Sequence, residues 1–196
     1  DSIVIRINAL PDASIQLAGP FCIDAGINQL MPKVNAGGQF SGGLYIDNLG
    51  NFNPKKAGIG SSKVYYRFTD LNKCTNRDSI VIMVNTLPDA SILPAGPYCI
   101  NTGQVKVKPR VNPGGVFFGG SYIDASGTFN TITAGLGSHK VLYSLVDGNG
   151  CKNKDSILIK INPLPDARIK PAGPFCDNDP VKVILPFNTA IKGDFY

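Results

Sequence analysis

The segment Asp78-Ser79-Ile80-Val81-Ile82 also occurs as Asp1-Ser2-Ile3-Val4-Ile5 and, with one change, as Asp155-Ser156-Ile157-Leu158-Ile159. Both offsets are 77 residues, and residues 1–77 align with residues 78–154 without a gap at more than half identical positions. A fixed period of this length predicts an array of similar modules. Such an array usually provides length, valency or surface rather than one reaction site.

The composition predicts that each module is built from strands. The chain contains no Glu and no Trp, whereas its 22 Gly and 15 Pro disfavour long helices. Residues 79–84 and 140–146 are rich in β-branched residues, and turn residues recur about every eight to twelve positions. This pattern is typical of an all-β chain of β-sandwich modules.

The joints between modules are marked by the recurring motif Leu-Pro-Asp. Residues 11–87 and 88–164 are expected to be complete β-sandwich repeats, since Pro11, Pro88 and Pro165 follow strand-like segments. Residues 1–10 would then be the last strand of a preceding module, and residues 165–196 the first strands of a third, incomplete one. A short joint stiffened by proline predicts a rod with one repeated rotation between modules.

The five cysteines follow the same period. Cys22, Cys99 and Cys176 are equivalent, as are Cys74 and Cys151. Two per repeat, with no metal-binding spacing, predict disulfides in an oxidising compartment. The simplest pairing is Cys22–Cys74 and Cys99–Cys151, which leaves Cys176 unpaired. If the two cysteines of a repeat lie at opposite ends of the sandwich, Cys22 would instead meet Cys151 across the joint.

The repeated motifs resemble a known class of module. They include Ala-Gly-Pro-Phe-Cys at 18–22 and 172–176, Ala-Gly-Pro-Tyr-Cys at 95–99, Gly-Gly-Gln-Phe-Ser-Gly-Gly at 37–43, and Asp-Gly-Asn-Gly-Cys at 147–151. Together they resemble the PKD-like and immunoglobulin-like tandem repeats of large secreted surface proteins of the Bacteroidetes. The resemblance covers nearly the whole chain. It implies immunoglobulin/PKD-like sandwiches in an extracellular, cell-surface protein, exported by type IX secretion, of the adhesin or gliding-associated kind.

Several functional classes are disfavoured by the sequence. The net charge of +5 comes from Lys and Arg residues that are spread through both repeats, so no nucleic-acid groove is indicated. No apolar stretch is long enough for membrane insertion. His139 is the only histidine, and its equivalent is Ser62, so we expect no catalytic residues and no enzyme activity.

Recurring polar residues suggest two further kinds of site. Asp12, Asp89 and Asp166 at the joints are candidate calcium ligands, although turn formation is the commoner use of such residues. No other cofactor or metal site is indicated. Asp-Ser-aliphatic segments resemble the O-glycosylation pattern of that phylum, which places candidate glycans on Ser2, Ser79 and Ser156.

The sequence therefore predicts a non-enzymatic stalk or spacer of an adhesin-like surface protein, whose partners are the neighbouring repeats. One alternative is a carbohydrate-binding array that contacts surface polysaccharide. Recurring Tyr45/Tyr122, Phe40/Phe117, Phe52/Phe129 and Tyr66/Tyr143 would then be exposed rather than packed in the core. A second alternative is an extracellular filament subunit, in which like chains complete each other's end modules by strand addition.

Overall fold

A computed structural model describes residues 2–187 and shows a nearly all-β chain. The elements of residues 11–87 are β1 (Phe21–Cys22), β2 (Asn28–Gln29), β3 (Gln39–Ser41), β4 (Asn51–Phe52), α1 (Pro54–Ala57), β5 (Gly60–Thr69) and β6 (Thr75–Asn85). Those of residues 88–164 are β7 (Tyr98–Cys99), β8 (Gln104–Lys106), β9 (Val116–Phe118), β10 (Thr128–Asn130), α2 (Thr131–Ala134), β11 (Gly137–Val146) and β12 (Lys152–Asn162). The two series have the same order of strands and helix. The all-β prediction is confirmed.

Two long strands form the centre of the four-stranded sheet in each series. In the first series, β5 and β6 pair antiparallel from Gly60↔Val84 to Thr69↔Thr75, and the sheet has the order β1-β6-β5-β3. The second series has the matching order β7-β12-β11-β9. Small two-stranded sheets, β2-β4 and β10-β8, complete the strand pairing.

The short strand β1 pairs parallel to the last part of β6. Phe21 pairs with Val84, and Cys22 pairs with Asn85. Parallel pairing places the cysteine at the end of β6 that leads into the next joint, rather than at its start. The same pairing joins Tyr98 to Ile161 and Cys99 to Asn162.

The core of the first series combines side chains from both of its sheets. Val64, Tyr66 and Ile82 from the larger sheet are fully or almost fully buried with Phe52 and Leu30 from the facing segments. Alternating burial along β5 follows from strand geometry, because successive side chains point to opposite faces. Burial of this cluster supplies the main apolar driving force for folding of the module.

A buried tyrosine ties a glycine turn to this core. The Tyr66 hydroxyl donates to the Asn35 carbonyl at 2.6 Å and accepts from the Gly38 amide at 2.8 Å. A Cβ atom at Gly38 would lie 2.3 Å from the Arg67 carbonyl oxygen, so the turn requires glycine there. Tyr143 makes the same two bonds to Asn112 and Gly115.

The four-residue helices are the elements that sequence reasoning did not predict. Asn53 caps α1 by accepting from the Lys56 amide, and Asn130 caps α2 by accepting from Ile132 and Thr133. Asparagine is a favoured N-cap residue because its side-chain oxygen satisfies a free amide of the first turn. A single capped turn is too short to give a helical period in the sequence.

The chain divides into two compact units. Within the described residues, the first contains residues 2–91 together with 109–115 and 143–155, and the second contains residues 92–108, 116–142 and 156–187. Outside the two series, residues 2–10 form neither helix nor strand and are all exposed. Residues 165–187 contain one bridge, between Ile169 and Pro186, which corresponds to the Ile15–Pro32 bridge.

Candidate functional site

The first compact unit contains a disulfide that links the two sequence repeats. Cys22 bonds to Cys151 with 5.5 Å between their Cα atoms and a sequence separation of 129. Cys22 lies at the end of β1, and Cys151 immediately precedes β12. Cys151 is completely buried. The bond therefore connects residues 11–87 to residues 88–164 across the 87/88 joint.

The within-repeat pairing Cys22–Cys74 and Cys99–Cys151 is wrong in this structure. Cys22 pairs with Asn85 at the end of β6, whereas Cys74 precedes the first residue of that 11-residue strand. At about 3.3 Å per residue, the two positions lie roughly 35 Å apart. A disulfide needs Cα atoms about 4.4–6.8 Å apart. The expected alternative, Cys22 with Cys151, is the bond that forms.

Two asparagines hold the backbone of the same joint. Asn153 Nδ2 donates to the Pro88 carbonyl at 2.8 Å, and Asn112 Nδ2 donates to the Asp89 carbonyl at 3.0 Å. Proline has no backbone N–H to donate, so the Leu-Pro-Asp motif is held through hydrogen bonds that its carbonyl oxygens accept. They tie the joint to the repeat that follows it.

The preceding joint has the same pair of bonds. Asn76 Nδ2 donates to the Pro11 carbonyl, and Asn35 Nδ2 donates to the Asp12 carbonyl, both at 2.8 Å. Sequence reasoning missed these four asparagines. Their recurrence at equivalent positions was the available signal, although nothing in a sequence shows which carbonyl an amide side chain will reach.

An aspartate-capped turn presents Cys151 to its partner. Asp147 Oδ1 accepts from the amides of Asn149 and Cys151, both at 2.9 Å. The backbone closes the turn through Asp147 N to the Cys151 carbonyl at 3.0 Å. Aspartate is favoured here because it bonds the backbone amides that follow it. The recurring Asp70 and Asp147 are thus turn formers.

The remaining cysteines of the described residues are free thiols. Cys74 is half-buried, and Cys99 and Cys176 are exposed. Cys74 and Cys99 are free because their expected partners are bonded to each other.

The single histidine has a packing role. His139 Nε2 lies 3.0 Å from the Gly135 carbonyl oxygen, and its ring packs edge-on against Tyr122 with 5.0 Å between centroids. The ring thus packs between a backbone carbonyl and an aromatic side chain.

The three joint aspartates form local turns rather than a shared site. Asp12 and Asp89 accept from the amides of Ser14 and Ser91 at 2.7 and 2.9 Å, and Asp166 pairs with the Arg168 guanidinium at 2.8 Å. Bonds from Ser14 lower the pKa of Asp12, and those from Arg168 lower the pKa of Asp166 to about 2. Within residues 2–187, no group of three His, Cys or Asp side chains could hold a metal ion. The structure therefore gives no support to a calcium site at the joints.

Of the three candidate glycosylation residues, two lie inside long strands. Ser79 is half-buried in β6 opposite Tyr65, and Ser156 is half-buried in β12. Ser2 lies in the exposed segment before the first joint. O-glycosylation of these serines stays a prediction.

Most of the recurring aromatic side chains are core residues. Phe40, Phe52 and Tyr66, with their equivalents Phe117, Phe129 and Tyr143, are all at most 6% exposed. Tyr45 and Tyr122 are half-buried, and their hydroxyls bond to backbone carbonyls of Lys63 and Lys140. These side chains do not form an exposed aromatic strip.

Comparisons with known proteins assign no family. No protein-family model matches the chain, and no curated protein sequence shows significant similarity to it. Within the described part of the chain, no helix is long and apolar enough to cross a lipid bilayer.

Proposed function

We propose that this chain is a tandem array of immunoglobulin/PKD-like β-sandwich repeats with a 77-residue period, and that it acts as a non-enzymatic stalk of a secreted surface protein. The observation that carries the proposal is the covalent bond between successive repeats. A chain that transmits tension benefits from such a bond, because it fixes one repeat to the next.

The bond limits how far the chain extends when it is pulled from its ends. It closes a loop between Cys22 and Cys151, which are 129 positions apart, and this loop includes most of the first repeat and most of the second. Tension applied at the termini passes through the two sulfur atoms and bypasses this loop. The strands from β2 to β11 lie inside the loop and are shielded from the force, whereas β12 lies outside it and bears the tension.

Three further features support a structural role. The joints are closed by proline and by asparagine bonds to backbone carbonyls, which restrict bending. The recurring aromatics lie in the cores, which favours a stalk over a carbohydrate-binding array. A disulfide is stable in an oxidising compartment, in agreement with an extracellular location.

Single-molecule pulling of the full chain tests this function. The oxidised chain should extend only through residues outside the disulfide loop. Reduction should add the 129 enclosed residues, or about 450 Å at roughly 3.5 Å per residue. The variant Cys22→Ser should show the longer extension without a reductant. Equal extension of the oxidised and reduced chains would contradict the stalk mechanism.

A further inference from the structure

Cys99 lies in the same backbone setting as the bonded Cys22. Each is the last residue of a two-residue strand that pairs parallel to the end of a long strand, at Asn85 for Cys22 and Asn162 for Cys99. In each case the next residue donates its amide to that asparagine carbonyl, at 2.8 and 3.0 Å. The backbone thus presents both thiols from the same position.

The turn after Cys99 is held more firmly than the turn after Cys22. The buried Thr131 hydroxyl donates to the Ile100 carbonyl at 3.0 Å and accepts from the Gly103 amide at 2.9 Å. The equivalent of Thr131 is Pro54, which has no hydroxyl. Cys99 is therefore exposed on a turn that is already ordered, which lowers the entropic cost of forming a bond there.

Cys74 lies in the same turn as the bonded Cys151. Asp70 Oδ1 accepts from the Cys74 amide at 2.8 Å, and the Asp70 amide donates to the Cys74 carbonyl at 3.0 Å. The matching distances at Asp147 and Cys151 are 2.9 and 3.0 Å. Cys74 is half-buried, whereas Cys151, which has its partner, is completely buried.

We propose that Cys99 and Cys74 are each one half of a further inter-repeat disulfide of the Cys22–Cys151 kind. Here a Cys22-type or Cys151-type cysteine is one at the position equivalent to Cys22 or Cys151 in another repeat. Cys99 forms a disulfide with the Cys151-type cysteine of a repeat copy that follows. Cys74 forms a disulfide with the Cys22-type cysteine of a repeat copy that precedes. This inference rests on the tandem-repeat part of the proposed function. Every disulfide would then join one Cys22-type and one Cys151-type cysteine whose positions differ by 129.

Glutathione disulfide is a sufficient oxidant for each bond. The thiolate of one cysteine attacks a glutathione sulfur and releases one glutathione thiolate, which leaves a mixed disulfide. The thiolate of the partner cysteine then attacks the protein sulfur and releases the second glutathione thiolate. The two cysteines lose two electrons and two protons, and one glutathione disulfide becomes two thiols.

Overlapping bonds of this kind would change how a longer array carries tension. Any cut between consecutive disulfides would be crossed by three chain segments, one of 52 residues (as from Cys99 to Cys151) and two of 25 residues (as from Cys74 to Cys99). Each 25-residue segment spans two successive disulfides, so each repeat could extend by about half of such a segment and not by its full length. Ordered cores would also share the tension rather than unfold one after another.

An in-register duplication within the full chain tests the proposal. A second copy of residues 88–164 is inserted after Leu164, so that all original residues remain and the chain holds seven cysteines. The protein is oxidised in a glutathione buffer, denatured, alkylated and weighed by mass spectrometry. We expect three alkylated thiols, because Cys22–Cys151 and the new bond from the original Cys99 occupy four of the seven.

One control variant identifies the new bond. Replacing the original Cys99 by Ser should leave four alkylated thiols, because the inserted copy of Cys151 loses its partner. A bond within the inserted copy would survive that change and leave two. Five alkylated thiols in the parent duplication, or a bond that survives Cys99→Ser, would overturn the proposal.

A second duplication keeps the test decisive if the first does not fold. A copy of residues 11–87 inserted after Leu10 offers its Cys22-type thiol to Cys74, and three of seven thiols should again be alkylated. Changing Cys74 to Ser should raise the count to four. The pulling experiment on the unduplicated chain is independent of both results, so failure of the ladder and failure of the stalk mechanism are distinguishable.

Discussion

The two aspartate-capped turns, residues 70–74 and 147–151, differ mainly in what lies outside them. Both are closed by an aspartate that accepts from the cysteine amide, with distances that agree to about 0.1 Å. Yet Cys151 is fully buried and bonded, whereas Cys74 is half-buried and free. The turn thus sets the geometry of the thiol, and the neighbouring repeat sets its burial and its chemistry.

A second difference lies inside the turns. Lys73 has a φ of 63°, the only positive φ of a residue other than glycine that the described chain shows, and its equivalent Gly150 has a φ of 79°. A left-handed conformation costs a residue with a Cβ atom about 1–2 kcal/mol, and costs glycine almost nothing. The free turn is therefore the more strained of the two.

The largest expected effect comes from removing the bond that distinguishes the turns. Cys22→Ser opens a loop of 129 residues, for which the chain-entropy model gives a loss of up to about 5 kcal/mol in the free energy of unfolding. Urea unfolding followed by circular dichroism measures this loss. Cys99→Ser is the matched control and should leave the midpoint unchanged, because that thiol is exposed and free. Equal midpoints for the wild type and Cys22→Ser would show that the bond adds nothing to stability.

A smaller effect is expected at the joints beside the turns. Asn153→Ala and Asn76→Ala each remove one bond to a proline carbonyl, so each should cost about 1 kcal/mol. Asn153 holds the joint that the disulfide also holds, whereas Asn76 holds the other joint. We therefore expect Asn153→Ala to be non-additive with Cys22→Ser, and Asn76→Ala to be additive. Two double-mutant cycles, each followed by urea unfolding, measure the coupling free energy. Equal coupling in both cycles would contradict the view that Asn153 and the disulfide hold the same joint.

A stabilising change is expected inside the strained turn. Lys73→Gly should raise the free energy of unfolding by about 1 kcal/mol, because glycine adopts the positive φ without a steric penalty. Gly150→Lys should lower it by a similar amount. Lys73→Ala keeps a Cβ atom and is the control that should give no gain. Thermal unfolding of the three variants measures these changes, and a gain in Lys73→Ala would assign the effect to the lysine side chain instead.

The smallest effect concerns pH and the other pair of aspartate turns, residues 47–51 and 124–128. Bonds from Thr128 and Ser126 lower the pKa of Asp124 to about 2, and bonds from Asn51 lower the pKa of Asp47. An aspartate in the unfolded chain has a pKa of about 3.9. The stabilisation by Asp124 is therefore complete above pH 4 and is lost as the pH falls from about 4 to about 2.

The variant Asp124→Asn tests this dependence. Its stability should fall less steeply than that of the wild type between pH 4 and pH 2, since one low-pKa carboxylate is missing. Urea midpoints at pH 2, 3, 4 and 7 give the two slopes. Parallel curves for Asp124→Asn and the wild type would contradict the assignment.

Local features of this protein could be read from its sequence because their causes are local. Strand alternation in β5, the turns at Asp70 and Asp147, and the proline joints depend on residues within a few positions of each other. The equivalence of Cys22 with Cys99 also needed no structure, because a repeat preserves positions. The capped helices α1 and α2 escaped prediction because one turn has no period.

The partner of each cysteine was decided by the tertiary structure. The sequence by itself determined that every repeat has two cysteines, but both a bond within a repeat and a bond across a joint agreed with that count. Only the parallel pairing of β1 with the end of β6 placed Cys22 a full strand length from Cys74 and beside the next repeat. Strand direction and register arise from contacts between distant residues, and a disulfide whose Cα atoms lie 5.5 Å apart depends on both.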